Sequence, residues 1–187
     1  MAGADNLGRL AIADTALLLI DVQEKFAPAI HGMDKVIDNC VRLVRGCREL
    51  GVPILVTEQY PQGLGRTVPQ VAEALGDFKP LVKTAFSLFG DQDIAGAILN
   101  MNRPNLLVAG VEAHVCVIKT ALDALGAGYA VHWIADAVSS RAADNAKAAT
   151  KRARQCGAFL ASTEMVLFQM IDTAEHEKFR AISKIVK

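Results

Sequence analysis

The stretch Gly110-Val111-Glu112-Ala113-His114-Val115-Cys116-Val117 sets a cysteine one short turn beyond the apolar run Asn105-Leu106-Leu107-Val108-Ala109. The run reads as a strand buried on both faces and the residues from Ala113 as a helix, so Cys116 falls in the first helical turn. Unpaired N–H groups and the positive end of the helix dipole favour a thiolate at such a place, and a lowered thiol pKa is expected. Taken alone, Cys116 is more simply explained as a small buried hydrophobe. Two other polar residues end apolar runs: Asp21 follows Leu17-Leu18-Leu19-Ile20, and Lys83 follows Pro80-Leu81-Val82. Ligands of open parallel sheets bind outside the carboxyl ends of the strands, where these three can converge on one crevice. A nucleophile, a base and a cation together make a catalytic constellation. Asp21 and Lys83 as a mere ion pair capping the sheet is the simpler account of those two, but it leaves Cys116 unused.

The elements that must position these residues follow from short apolar runs alternating with longer amphipathic ones. Strands are expected over 16–21, 53–58, 79–83, 105–110, 129–134 and 158–162. Helices are expected over 33–50, 69–75, 91–100, 113–125 and 144–156, with a final amphipathic helix over 174–186. Gly51, Gly76, Gly126 and Gly157 stand where helices should end. This alternation gives an α/β fold, with helices covering both faces of a mostly parallel sheet. No repeat or linker interrupts it, so one domain over 10–187 is expected, with the first few residues loosely held. The polar, Gly-rich connection Gln59-Tyr60-Pro61-Gln62-Gly63-Leu64-Gly65-Arg66 follows a strand and reads as a mobile loop and candidate lid.

Composition narrows the classes of function. With 187 residues, 52% of them hydrophobic, the chain can bury a sizeable core. Lys plus Arg and Asp plus Glu balance at 20 each, so the overall positive charge typical of nucleic-acid binders is missing. No apolar run is long enough to span a bilayer, and residues 1–9 carry no signal or transit pattern, which points to a soluble, cytoplasmic protein. Cys40, Cys47, Cys116 and Cys156 are too scattered for a disulfide framework or a zinc knuckle. Cys40 and Cys47 lie seven residues apart on one expected helix and should both face the sheet. His31, His132 and His176 have no metal-ligand spacing.

Four segments, Leu18-Leu19-Ile20-Asp21-Val22-Gln23-Glu24-Lys25-Phe26, Thr57-Glu58-Gln59-Tyr60-Pro61, Lys83-Thr84-Ala85-Phe86-Ser87 and Gly110 to Cys116, occur in an order and spacing that resemble the isochorismatase-like cysteine hydrolase superfamily. Each is weak alone; together they cover the chain from about Asp14 to Met170. The resemblance implies a three-layer α/β/α sandwich with a six-stranded parallel Rossmann-like sheet, and a catalytic triad of Asp21, Lys83 and Cys116. It also implies a cis peptide between Val111 and Glu112, with the backbone N–H groups of Glu112 and Cys116 forming an oxyanion hole. Gln23, Phe26, Tyr60, Leu64, Phe86 and His114 are candidate substrate-binding residues, although core packing accounts for several of them equally well.

Departures from the family pattern refine the expectation. Nicotinamidase-type members hold a metal with an Asp-x-His and a further His near the second strand; here Thr57-Glu58-Gln59-Tyr60-Pro61 stands there, so no metal and no cofactor are expected. A cysteine nucleophile also argues against vinyl-ether cleavage of the true isochorismatase kind. The chain looks most like the small isochorismatase-domain hydrolases, and the expected reaction is hydrolysis of a small amide. Two alternatives remain: an idle scaffold of the same fold, or a nucleic-acid-processing, ribonuclease-like protein using Lys147, Lys151 and Arg154 on one helical face. The resemblance also implies a homo-oligomer, for which the apolar segment 162–170 and the final helix offer surface beyond the needs of the core.

Overall fold

Residues 16–20 of the first strand are apolar without a break, and all are fully buried. A strand covered on both faces needs such a run, because successive side chains point to opposite sides. In the computed structural model, which describes residues 7–187, this strand is β1 (Thr15–Ile20). It is followed by β2 (Ile54–Gln59), β3 (Leu81–Lys83), β4 (Asn105–Val111), β5 (Ala130–Ser139) and β6 (Phe159–Ala161). The helices are α1 (Met33–Leu50), α2 (Pro61–Leu64), α3 (Pro69–Leu75), α4 (Gln92–Asn100), α5 (Ile118–Gly126), α6 (Ala143–Gln155), α7 (Thr163–Ile171) and α8 (Phe179–Val186). The expectation of loosely held first residues concerns positions outside those described.

All five strand pairs are parallel, and the order across the sheet is β3-β2-β1-β4-β5-β6. Leu17 and Leu19 of β1 join Leu107 and Ala109 of β4 in a core under α1, α3, α7 and α8. Ala16, Leu18 and Ile20 join Leu106, Val108 and Trp133 in a second core under α4, α5 and α6. Burying each such leucine contributes roughly 1.5–3 kcal/mol. The sheet is therefore the middle layer of a six-stranded α/β/α sandwich, as expected. The strand order reverses between β1 and β4, and the register Ile20↔Gly110 brings their carboxyl ends level at that switch point. Gly110 is required there: at φ 134° its missing Cβ would lie 2.0 Å from the Ile20 carbonyl oxygen. No helix among the described residues is long and apolar enough to cross a membrane.

Four local expectations are corrected. β5 continues to Ser139 rather than ending at Ile134, because a register shift against β4 absorbs the exposed Ala135 and half-buried Asp136 and the ladder resumes at Val138. The segment 162–170 is not spare surface. It folds as α7, whose Val166 and Leu167 are fully buried, with Leu167 filling the space beside Gly46 of α1. The final helix begins at Phe179, not at Ala174. Finally, the 59–66 connection is a pinned turn around α2: Lys25 N–H donates to Leu64 O at 3.1 Å, Glu24 N–H to Arg66 O at 2.9 Å and Gln23 Nε2 to Gly65 O at 2.7 Å. Nothing in that bonding pattern marks it as a lid.

Candidate active site

Asp21 is the first residue beyond β1 and adopts the left-handed region, φ 55°. This conformation costs a non-glycine residue energy, though aspartate tolerates it better than most. The turn keeps the carboxylate at the carboxyl end of the sheet and bonds it to residues of β2 and of β3 beyond it. Thr57 Oγ1 donates to Oδ1 at 2.8 Å, Lys83 Nζ donates to Oδ2 at 2.7 Å, and the Asp21 N–H donates to Thr57 O at 3.2 Å. Both charges are about 1% exposed. A buried pair of this kind must offset a large desolvation cost with further hydrogen bonds. Lys83 Nζ also donates to Gln59 Oε1 at 2.7 Å and to the carbonyl of Ala85 at 3.2 Å. The segment supplying that carbonyl is tied to α5, since Ser87 Oγ donates to Asp123 Oδ2 at 2.5 Å and Thr120 Oγ1 accepts from Leu88 N–H at 3.1 Å.

Cys116 lies in a single π-helical turn, Ala113–Val117, that precedes α5. Single π turns recur at functional sites, where the extra residue re-aims a side chain. Cys116 is 4% exposed, and the charges of Asp21 and Lys83 both bear on its thiol, so the three candidate triad residues do gather at the switch point. Two expectations about this turn are corrected. There is no cis peptide among the described residues; the reversal after Val111 is made by trans peptides with Glu112 in the left-handed region, φ 55°. A left-handed residue costs less than a cis non-proline bond and still turns the chain sharply. The thiol pKa, moreover, is not lowered. Burial pushes it up to about 12, the negative charge of Asp21 adds to the rise, and the Lys83 ammonium opposes it only in part. Desolvation of a thiolate outweighs the helix end, so the resting group is a protonated thiol beside a carboxylate.

The remaining candidates divide by burial. Gln23 is fully buried and spends its amide on backbone: Oε1 accepts from Gln59 N–H at 2.8 Å, and Nε2 donates to Gln59 O at 3.1 Å as well as to Gly65 O. Its visible work is to hold Gln59, and thereby Lys83. Phe26 packs half-buried against the α1-side core, and Leu64 is half-buried in α2. Tyr60 and Phe86 are exposed, at residues adjoining Gln59 and the Ala85 carbonyl that hold Lys83. His114 Nδ1 lies 3.0 Å from Ser140 Oγ and 3.1 Å from Glu112 Oε2. Among the described residues no group of three His, Cys, Asp or Glu is disposed to hold a metal ion. A cavity of about 510 Å³ lined by Arg48, Phe78, Leu81 and Met101 opens at the amino ends of β2 and β3, away from Cys116.

Sequence reasoning missed Thr57, Gln59 and Arg141 as members of this neighbourhood. The first two lie in a segment already singled out, at the carboxyl end of β2, where the rule applied to Asp21 and Lys83 would have found them. Arg141 follows a strand whose end was set too early, so nothing in the local pattern brought it to the site.

An isochorismatase domain model matches residues 15–165. The chain is 43% identical, over its whole length and 92% of the relative, to the isochorismatase domain-containing protein 2 of Danio rerio. Among solved structures, that of the MAR1 ribonuclease from Caenorhabditis elegans is similar at a TM-score of 0.90 and 37% identity, covering 95% of this chain and 92% of that one. The YcaC gene product of Escherichia coli, described as an octameric hydrolase of unknown specificity, shares the fold at a TM-score of 0.88 and 23% identity, with 95% and 88% covered. With that match over most of its length, and an α/β/α sheet whose switch point gathers Asp21, Lys83 and Cys116, the chain belongs to the isochorismatase-domain family of hydrolase-like proteins.

Proposed function

We propose that this protein is a metal-independent cysteine hydrolase that cleaves a C–N bond of a small amide through a thioester. The observation that carries the reading is the buried group formed by the Cys116 thiol, the Asp21 carboxylate and the Lys83 ammonium. With the thiol pKa near 12, attack requires a neighbouring base, and Asp21 takes that role. As the Cys116 sulfur bonds to the substrate carbonyl carbon, its proton passes to Asp21, and the carbonyl oxygen becomes an oxyanion held by the N–H groups of Glu112 and Cys116. Lys83 offsets the charge of the carboxylate throughout. Collapse breaks the C–N bond, and the departing nitrogen takes the proton from Asp21. Water then attacks the thioester with Asp21 as base, the C–S bond breaks, and the acid leaves as the thiol regains its proton.

The test is a screen of small amides for release of ammonia or amine. Cys116→Ala is expected to abolish turnover of any substrate found while leaving the melting temperature near that of the parent. Retained turnover would sink the assignment, and a complete absence of turnover with an unreactive Cys116 would favour the idle scaffold.

A second reading, RNA cleavage, is favoured by the 37% identity to the protein described as a MAR1 ribonuclease. Lys147, Lys151 and Arg154 of α6 are all exposed and supply a basic face. This reading expects salt-dependent RNA binding that falls when those three are neutralised, and its absence excludes it. Self-association and a cytoplasmic location complete the proposal. The relative described as octameric supports the former, as do the exposed apolar side chains of Val82 on the edge strand β3 and of Phe86 just beyond it. A monomer at micromolar concentration in sedimentation would refute self-association, and a tagged chain found in an organelle would refute the location.

A further inference from the structure

Beyond Cys116, on the side away from Asp21, the site continues into a second charged pair. The sheet order places the carboxyl ends of β3, β2, β1, β4 and β5 side by side, so Lys83, Gln59, Asp21, the Cys116 turn and Arg141 succeed one another in space. The register Val111↔Ser139 sets the end of β5 level with the Cys116 turn. Arg141 donates its Nε–H to Glu112 Oε1 at 2.6 Å; the carboxylate is buried, whereas the arginine side chain is 63% exposed. Ser140, fully buried between them in sequence, fixes the same turn by accepting from His114 N–H at 3.3 Å.

The manner of pairing is informative. Arginine–carboxylate pairs frequently meet fork to fork through two parallel N–H bonds. Here Nε alone is engaged, and the two terminal Nη groups have no partner among the described residues. A guanidinium anchored at Nε is held in one orientation, so little side-chain freedom remains to be lost when its free edge binds an anion. Arg141 meets Glu112 and Ser140 meets His114 in the same turn that carries Cys116, so an anion on Arg141 and a carbonyl carbon on Cys116 could belong to one small molecule. The Glu112 carboxylate does not repel such an anion strongly, because it is already paired with Nε.

The geometry points to Arg141 as the anchor for an anionic group of the substrate, and hence to a small amide bearing a carboxylate a few bonds from the scissile carbonyl. This assignment rests on Cys116 being the nucleophile proposed above. It is tested without the natural substrate by alkylating Cys116 with iodoacetate, which carries a carboxylate, and with neutral iodoacetamide. In either reaction the S–C bond forms, iodide departs and the thiol loses its proton. The full chain is used in a Cys156→Ser background, since Cys156 is exposed and would react as well, and modification is read at Cys116 by peptide mass spectrometry. Arg141→Gln is expected to lower the ratio of the iodoacetate rate to the iodoacetamide rate by about tenfold, with Arg141→Lys falling between, as loss of one charge-assisted contact implies. High salt should compress the parent ratio toward that of Arg141→Gln. An unchanged ratio in Arg141→Gln, including the case in which both rates fall together because the Glu112 turn is disturbed, would overturn the anchor while leaving the nucleophile standing. A Cys116 that neither reagent modifies in the parent would overturn both.

Discussion

At the scale of single residues, Asp21 and Lys83 act on the Cys116 thiol in opposite directions. Asp21 raises its pKa through charge and hydrogen bond, and Lys83 lowers it. Asp21→Asn should therefore bring the thiol pKa down from about 12, and Lys83→Met should raise it further; titrating the thiolate ultraviolet absorbance in each variant checks both signs. Each substitution also strands a buried charge. Removing one partner of a buried pair typically costs roughly 3–5 kcal/mol, so both variants should unfold at distinctly lower urea than the parent. The double variant, which leaves no unpaired charge, should regain much of that loss. Neither single variant should turn over an amide, because one lacks the base and the other the cation beside it.

At the scale of elements, the approach of β1 to β4 sets the site, and Gly110 is where that approach is closest. A Cβ there would stand 2.0 Å from a backbone carbonyl at a φ of 134° that alanine rarely adopts. Gly110→Ala should destabilise the chain by more than about 3 kcal/mol or prevent folding, because neither strand can retreat without breaking its ladder. Gly46→Ala makes a useful contrast. Its Cβ would meet only the side chain of Leu167, at 2.4 Å from Cδ2, and leucine can change rotamer. The expected cost is smaller, about 1–3 kcal/mol, and urea denaturation of the two variants would show the difference. The same packing explains why 162–170 was misjudged from sequence. An apolar segment after the last strand reads as surplus until it is known that α1 presents a glycine to receive it.

At the scale of the whole molecule, buried titratable groups limit the pH range of stability. His132 is stacked on Phe159 at 5.2 Å, its buried Nε2 has no hydrogen-bond partner among the described residues, and burial lowers its pKa from 6.5 to about 4. The folded state thus keeps the imidazole neutral while the unfolded chain protonates, so stability is lost as pH falls from 6.5 toward 4. A shift of that size corresponds to about 3 kcal/mol at full extent. Urea midpoints measured across that interval should fall in the parent and fall less in His132→Leu. On the alkaline side, Cys40, Cys47 and Cys116 are all pushed from 9.0 to about 12 by burial. Unfolded thiols ionise first, so stability should decline as pH rises through 9 to 12, and Cys40→Ala or Cys47→Ala should lessen that slope while costing packing.

Much of this protein was legible in its residues. The uninterrupted apolar runs 16–20 and 106–109 read as strands buried on both faces, and the rule that ligands meet strand ends points to Asp21 and Lys83. Cys116 was found in the same way, as the polar exception after an apolar strand. Three matters depended on the fold, each because its cause lies in residues distant along the chain. The thiol pKa follows from how deeply Cys116 is enclosed and which charges face it, so a local argument from the helix end gave the wrong sign. Glu112 reverses the backbone with trans peptides in a left-handed conformation, in a turn tied to Ser140 and Arg141 beyond β5. Arg141 reaches Glu112 only because β5 pairs with β4 as far as Ser139. Periodicity and residue type determine which face is buried and where strands stop; burial depth and cross-strand neighbours are sums over the whole packed chain, and only the tertiary structure supplies them.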